Sequence, residues 1–387
     1  MVTFVFHTHL PYVIHHGKWP HGSDWICEAV AECYLPLLRM CDGLLADGIR
    51  PGITFDISPV LCEQLAHPDF PDMFRAYCAE HAELAKNDRT QTSDPLPDSL
   101  KKSAEWWEGW YIDRGAEFDA DYNGDIIGAL KRLQDAGAIE IMTCGATHGY
   151  MPLLAEDASV DLQMNIARAN YRKHFGRDPI GVWLPECAYR PAYAWRTLLP
   201  VSAYSVPRMR EGIEQIMVRH GLQYFVTDEY ALMKSTRLDS NNSEPLTPFE
   251  LYVVGSPPNT ERAGVLTRNL AISMQVWSGD GGYPGDGDYL DFHKKSSQSG
   301  LRYWRVTDTK GDMGGKQQYV PENAQERARD HAKHFVGILE TAARHRISAS
   351  DADSDDWVDD VLEKEGTSWQ NSPLMQGQAC RARDVAA

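Results

Sequence analysis

GVWLPECA, residues 181–188, is the stretch on which the fold turns. Its apolar opening, bounded by Gly181 and Pro185, reads as a strand, and the strand stops at a carboxylate, Glu186. Working outward, IEIMTCG (139–145) precedes it and LQYFVTD (222–228) follows it, each again an apolar run that ends in polar residues. Segments 158–175 and 211–220 lie between these strands and suit helices. Further out, VTFVF (2–6) reads as a buried first strand, ITFDIS (53–58) as a second and AISMQVW (271–277) as a sixth. Residues 25–49 place Ile26, Val30, Leu35, Leu37, Leu38 and Leu44 at roughly helical spacing, and Gly48 ends the run. Residues 59–137 read mostly as helices with a polar gap near 86–97, and 321–345 reads as one more. The stretch 233–263, rich in Ser, Asn and Pro, reads as a long mobile loop. Strands alternating with helices predict an α/β fold with a mostly parallel sheet.

The strand ends carry the residues capable of chemistry. The first strand ends at His7 and His9, the third leads to His148, the fourth to Glu186, and the sixth to Asp280 and Asp286. In a parallel α/β barrel the C-terminal strand ends converge on one face, and that face holds the active site. His7 and His9 stand at i and i+2 of an extended segment, so their side chains point the same way. Substrate contact, metal binding and a packed hydrogen-bonded pair are all open for them. His148, in GATHGY (145–150), gains weight only from its company. Glu186 sits in WLPECAYRP (183–191) among Trp183, Pro185 and Tyr189. That setting suits a glycosidase nucleophile or acid, and equally a salt-bridged structural glutamate. VWSGDGGYPGDGDYLDFH (276–293) packs five glycines and four aspartates into one loop. Glycines let the backbone approach a ligand closely, although a solvated turn-rich loop has the same composition. The aspartates lack the spacing of an EF-hand calcium loop.

Bulk composition narrows the field. The chain has 387 residues, enough for one large domain or two modest ones. A net charge of −17 argues against nucleic acid and against an anionic membrane surface, both of which need basic patches. A neutral substrate fits better. The eight cysteines form no CxxC pair, which argues against a thiolate zinc site. The start, MVTFVFHTHLPYV, lacks the basic region and cleavage site of a secretory leader. No stretch approaches the ~20 apolar residues of a membrane span. A cytoplasmic protein with reduced thiols is expected.

Together these segments resemble glycoside hydrolase family 57, and are most similar to its bacterial 1,4-α-glucan (glycogen) branching enzymes. The likeness rests on HTHLPYV (7–13), EIMTCGATHGYMPLL (140–154), WLPECAYRP (183–191), QVWSGDGGYPGDGDYLDFH (275–293), GLRYWRVT (300–307) and HAKHFVGILE (331–340). The resemblance implies a distorted (β/α)7 barrel over residues 1–345, with a helical insertion at about 59–137. It implies that the family's C-terminal helical region is truncated, leaving 346–387 as a divergent, poorly ordered acidic and polar tail. The implied activity is that of a retaining glycosidase or transglycosylase on an α-1,4-glucan, either branching by α-1,6 transfer or amylase-type hydrolysis, with no metal or organic cofactor. Glu186 takes the nucleophile's place. His9 and His148 would contact the sugar with His7 close by, Trp277 would form an aromatic platform, Tyr283 and Asp286 would touch substrate, and Trp25 would shape the cleft mouth.

Two places depart from the family pattern. The second carboxylate falls in ISASDADSDDWVDDVLEKEGTSW (347–369), which lacks the family's apolar strand and aromatic pair. Alignment on Glu365-Gly366 puts Asp355 in the acid/base position, and counting forward from Phe335 puts Asp356 there. In EPLTPFELY (244–252), Phe249 stands where branching members carry a tyrosine, which leaves branching against hydrolysis open. Two other readings compete. One is a glucan-binding remnant of a branching enzyme, impaired in catalysis. The other is a metal-dependent polysaccharide deacetylase-like barrel using His7, His9 and His148, which leaves WLPEC and GYPGD without a purpose.

Overall fold

The computed structural model describes residues 3–18, 21–92, 95–197, 201–236, 246–256 and 261–348. They form two compact units. One takes in the residues up to Phe74 and Glu117–Arg268, and the other Arg75–Ala116 and the residues from Asn269 onward.

In the first unit β1 (Phe4–Thr8) leads into α1 (Ser23–Ala29), which continues through a π-helical turn, Val30–Tyr34, into α2 (Leu35–Ala46). β2 (Ile53–Ile57) is followed by α3 (Pro59–Leu65) and by two long helices, α4 (Phe70–Thr90) and α5 (Asp98–Ala120), within which the unit boundary falls. Then come α6 (Ile126–Asp135), β3 (Ile139–Cys144), α7 (Asp157–Phe175) and β4 (Gly181–Trp183). β5 (Tyr193–Trp195) and β6 (Arg208–Arg210) form a separate antiparallel pair. The unit ends with α8 (Ile213–Arg219), β7 (Tyr224–Thr227), α9 (Glu229–Met233), β8 (Tyr252–Val254) and β9 (Ala263–Thr267). The second unit includes α10 (Leu270–Trp277) and α11 (Pro321–Ser348), and an aromatic cluster on α5 in which Trp107 and Tyr111 are buried beside Trp106 and Trp110.

The seven-stranded sheet runs β1-β2-β3-β4-β7-β9-β8, with every neighbouring pair parallel except β8 against β9. All six parallel strands therefore deliver their C-terminal ends to one edge. Parallel strands linked by helices are covered on both faces and read as continuous apolar runs. β2 is accordingly buried at every residue and β3 at all but Glu140. Val182, Leu184, Ile213, Met217, Phe225 and Val265 form the core between sheet and helices. Each such side chain contributes about 1.5–3 kcal/mol on burial.

Three expectations are corrected. AISMQVW is not a strand but α10. The Asn269 side chain caps it by accepting from the Ile272 amide at 2.9 Å, and a short apolar run cannot be told from a strand by periodicity alone. The stretch read as a loop holds β8 and most of the approach to β9, whose pairing with β7 supplies the backbone partners that local propensity did not suggest. β1, read as buried, is half-exposed, because among the described residues it pairs with β2 alone.

The segment after Glu186 is tied down by a charge network. Asp157, the first residue of α7, accepts from Arg190 at 2.9 Å and from Arg210 at 2.5 Å, and its other oxygen accepts from the Glu211 amide at 3.2 Å. Both guanidinium groups are buried. Removing one partner of a buried pair leaves an uncompensated charge, so Asp157→Ala is expected to cost about 3–5 kcal/mol. Chemical denaturation of the variant against the unaltered chain measures it.

Candidate active site

Four of the sequence-predicted residues meet at the C-terminal edge of the sheet. His7 stands opposite Asp56 in the β1–β2 register, and its Nδ1 hydrogen-bonds the Asp56 carboxyl. Its Nε2 lies 3.1 Å from Nε2 of His148, and its ring stacks on Trp183 at 4.7 Å between centroids. His9 stacks on His148 at 3.9 Å, and its Nδ1 is 2.9 Å from Ser58 Oγ. Nδ1 of His148 faces Glu186 Oε1 at 3.9 Å. The Glu186 side chain is 70% exposed, so its carboxylate is open to an incoming ligand.

The backbone that presents these groups is unusual. Glu186 lies at φ 59°, ψ 26°, and Cys187 and His148 also have positive φ, at 53° and 58°. Left-handed conformations at non-glycine residues cost of order 1–3 kcal/mol each and persist only where the surroundings over-determine them. Here the Cys187 amide donates to Leu184 O at 2.8 Å, and Thr227 Oγ1 on β7 donates to Cys187 O at 3.1 Å. Downstream, Tyr189 stacks on Phe225 at 5.2 Å and donates its hydroxyl to Glu214 at 2.9 Å. WLPECAYRP is thus a strand end, a strained turn and an anchor in sequence.

Electrostatics keep the cluster neutral. Burial pushes the Asp56 carboxyl well above the usual carboxylate range. Burial brings the His7 imidazole down to about 4 despite an upward pull from Glu186. His9 also falls to about 4, through burial and then the neighbouring His148 and His7. His148 is lowered by burial and by His7, against Glu186. The described residues bring one His/Asp group to metal-ligand spacing, His15, His67 and Asp69; His7, His9 and His148 instead stack on and hydrogen-bond to one another.

Trp25 stands exposed on α1, its ring 5.7 Å from His21. Phe249 is half-buried in the turn before β8, its amide donating to Thr247 Oγ1 at 3.3 Å. The other candidates belong to the second unit. Trp277 ends α10 with 59% of its surface exposed. Tyr283 stacks on His331 at 4.4 Å and its hydroxyl meets His334 Nδ1 at 2.7 Å. Asp286 accepts from Arg327 at 2.8 Å and lies 3.4 Å from His331. Burial would raise its carboxyl, but Arg327 and the Asp288 amide outweigh that and hold it low. Gln275, Asp280, Tyr283, Asp286 and His331 line a cleft of about 270 Å³. Gly282 serves close packing of the loop on α10: a Cβ there would lie 2.6 Å from Met274 O and 2.7 Å from Gln275 O. Asp355 and Asp356 lie outside the described residues.

Sequence reasoning missed Asp56 and the stacking role of Trp183. The signal for Asp56 was a carboxylate inside the otherwise apolar strand ITFDIS, where burial is costly without a partner.

The lowered histidines fix the sign of an acid effect. The unfolded chain binds protons on these rings near 6.5, whereas in the folded chain His7 and His9 bind them only near 4. Their contribution is present above the unfolded value and is lost as pH falls through that window. In thermal unfolding between pH 6.5 and 4, His9→Asn is expected to lose stability less steeply than the unaltered chain.

Residues 3–298 match the profile of glycosyl hydrolase family 57. A 1,4-alpha-glucan branching enzyme of Thermococcus kodakarensis is 38% identical over 356 residues, 89% of this chain and 49% of that protein. The chain thus spans about half the length of this curated relative. The crystal structure of a family 57 branching enzyme from Thermococcus kodakaraensis, in complex with glucose, superposes with a TM-score of 0.77 at 37% identity, covering 89% of this chain and 61% of that one. The alpha-amylase AmyC of Thermotoga maritima gives a TM-score of 0.71 at 26% identity, covering 91% and 65%. The sheet and its helices are those of the family's (β/α)7 barrel. On a profile that covers most of its length and a relative that aligns over 89% of it, the chain belongs to glycosyl hydrolase family 57.

Proposed function

We propose that this chain processes α-1,4-glucan by a retaining mechanism with Glu186 as nucleophile. The observation that carries the reading is the position of Glu186: an exposed carboxylate on a strained turn at the sheet's C-terminal edge, beside three neutral histidines. The Glu186 carboxylate would attack the anomeric carbon as the glycosidic bond breaks, giving a covalent glycosyl-enzyme. A second carboxyl would protonate the departing oxygen and later take a proton from the acceptor; Asp355 or Asp356 is the candidate for that role. A glucan 6-hydroxyl as acceptor gives an α-1,6 branch, and water gives hydrolysis.

His9 and His148 would hydrogen-bond sugar hydroxyls, and the exposed ring of Trp277 would offer a stacking face. Tyr283 and Asp286 already have protein partners, which favours a supporting role for them in the loop. A neutral glucan suits a chain of net charge −17. No helix among the described residues is long and apolar enough to cross a membrane. The seven described cysteines are free, as a reducing compartment keeps them, and a cytoplasmic setting is part of the same reading.

Incubation with amylose, reading new α-1,6 linkages and new reducing ends, tests the proposal. Glu186→Gln, which keeps the shape and removes the charge, is expected to lower both by at least about 10²–10⁴-fold, the worth of a positioned carboxyl group. Amylose binding without either product would leave a glucan-binding protein in place of an enzyme, and a variant as active as the unaltered chain would exclude catalysis by Glu186. Phe249→Tyr restores the hydroxyl found in branching members and is expected to raise the ratio of α-1,6 linkages to reducing ends.

A further inference from the structure

Asp56 sits at the far end of a hydrogen-bonded chain, Asp56–His7–His148, whose last ring faces Glu186 across 3.9 Å. It is fully buried on β2 and its Oδ2 bonds His7 Nδ1. His7 Nε2 meets His148 Nε2 at 3.1 Å, and His148 Nδ1 faces Glu186 Oε1 at 3.9 Å. We propose that the Asp56–His7 pair holds two protons between its members and thereby aims an N–H of His148 at the Glu186 carboxylate, which makes Asp56 a positioning residue for the nucleophile. The inference rests on the reading of Glu186 given above.

The argument is one of proton counting. A neutral imidazole has one donor nitrogen and one acceptor nitrogen. Only one proton fits between the two Nε2 atoms. If His148 supplies it, His148 turns a lone pair at Nδ1 toward a carboxylate, which is repulsive. If His7 supplies it, His148 carries its proton on Nδ1 and points it at Glu186. For His7 to donate from Nε2, its Nδ1 must either accept from a protonated Asp56 or carry a second proton shared with an ionised Asp56. Both arrangements hold two protons and no net charge. The opposite arrangement holds one proton and leaves a net negative charge in the interior.

The surroundings favour the neutral count. Asp56 Oδ1 has no hydrogen-bond partner among the described residues, so an ionised carboxylate would be half unsatisfied. The titratable groups facing the pair are His9 just after β1, Tyr34 on the π-turn, Cys144 at the end of β3, His148 after it, and Glu186 and Cys187 after β4. None of them carries a positive charge at neutral pH. Arg268, whose field reaches Cys187, is ion-paired with Asp228 at 2.5 Å. The direction in which burial moves both members agrees: Asp56 up, His7 down. Loss of the second proton at alkaline pH reverses the chain and turns the His148 lone pair onto Glu186.

Two readouts on the full chain test this. Histidine ¹⁵N resonances at neutral pH, without substrate and assigned with His7→Gln and His148→Gln, are expected to show His148 protonated on Nδ1 and bare on Nε2. The opposite tautomer overturns the proposal. This readout needs no turnover, so it stands even where amylose is not processed and the functional reading fails on its own. The second readout is the pH dependence of kcat on amylose. Asp56→Asn can donate to His7 but cannot ionise, and it is expected to stay within about tenfold of the unaltered chain and to lose an alkaline ionisation, whereas Asp56→Leu should lose about 10²-fold or more in kcat with KM little changed. Asn falling as far as Leu, or keeping the original alkaline limb, overturns it as well.

Discussion

The parallel ladder is the constraint from which the site follows. Strands β1 to β4 are consecutive both in sequence and in the sheet, and all run the same way. Their C-terminal ends share an edge without any long-range instruction beyond backbone hydrogen bonding. Register then does the fine placement. His7 pairs with Asp56, so the two face each other, and Trp183, paired with Cys144 two residues beyond the partner of Asp56, reaches forward to stack on the His7 ring. A one-residue slip would turn every side chain of a strand to the opposite face and would carry Asp56 away from His7.

Much of this was legible in the residues. The alternation of apolar runs with helical spacing marked five of the sheet's seven strands, β1 to β4 and β7, and polar strand ends picked out His7, His9, His148 and Glu186 as a group. Other parts were hidden for physical reasons. The run 271–277 has the composition of a strand, and the cap at Asn269 rather than any period decides for helix. β8 and β9 emerge beside a stretch of Ser, Asn and Pro, because a sheet edge recruits backbone whatever the side chains prefer. Asp56 was visible as an oddity in its strand, but its purpose appears only when register puts it against His7. The glycines of 279–287 suggested a ligand, whereas Gly282 makes room for carbonyls at the end of α10.

The histidine cluster is neutral although it lies beside a carboxylate. Three imidazoles and a carboxyl lie together with their charged forms disfavoured by burial, and the ionisable oxygen of Glu186 stands outside that dry patch in contact with solvent. Separation of a buried hydrogen-bond network from an exposed carboxylate lets the first be rigid and the second be free. The clamps behind the turn, from Thr227, Tyr189 and the arginines on Asp157, serve the rigid part.

The consecutive left-handed residues at Glu186 and Cys187 bear on how this protein can be engineered. A glycine or asparagine at Cys187 would relax the turn, and a selection that rewards only heat resistance has every reason to find it. The same relaxation would let the carboxylate wander from the histidines that face it. Hardiness and reactivity are therefore in direct competition at this turn, and improvement of the first is best sought in the helices, where the backbone holds no strain that function has a use for.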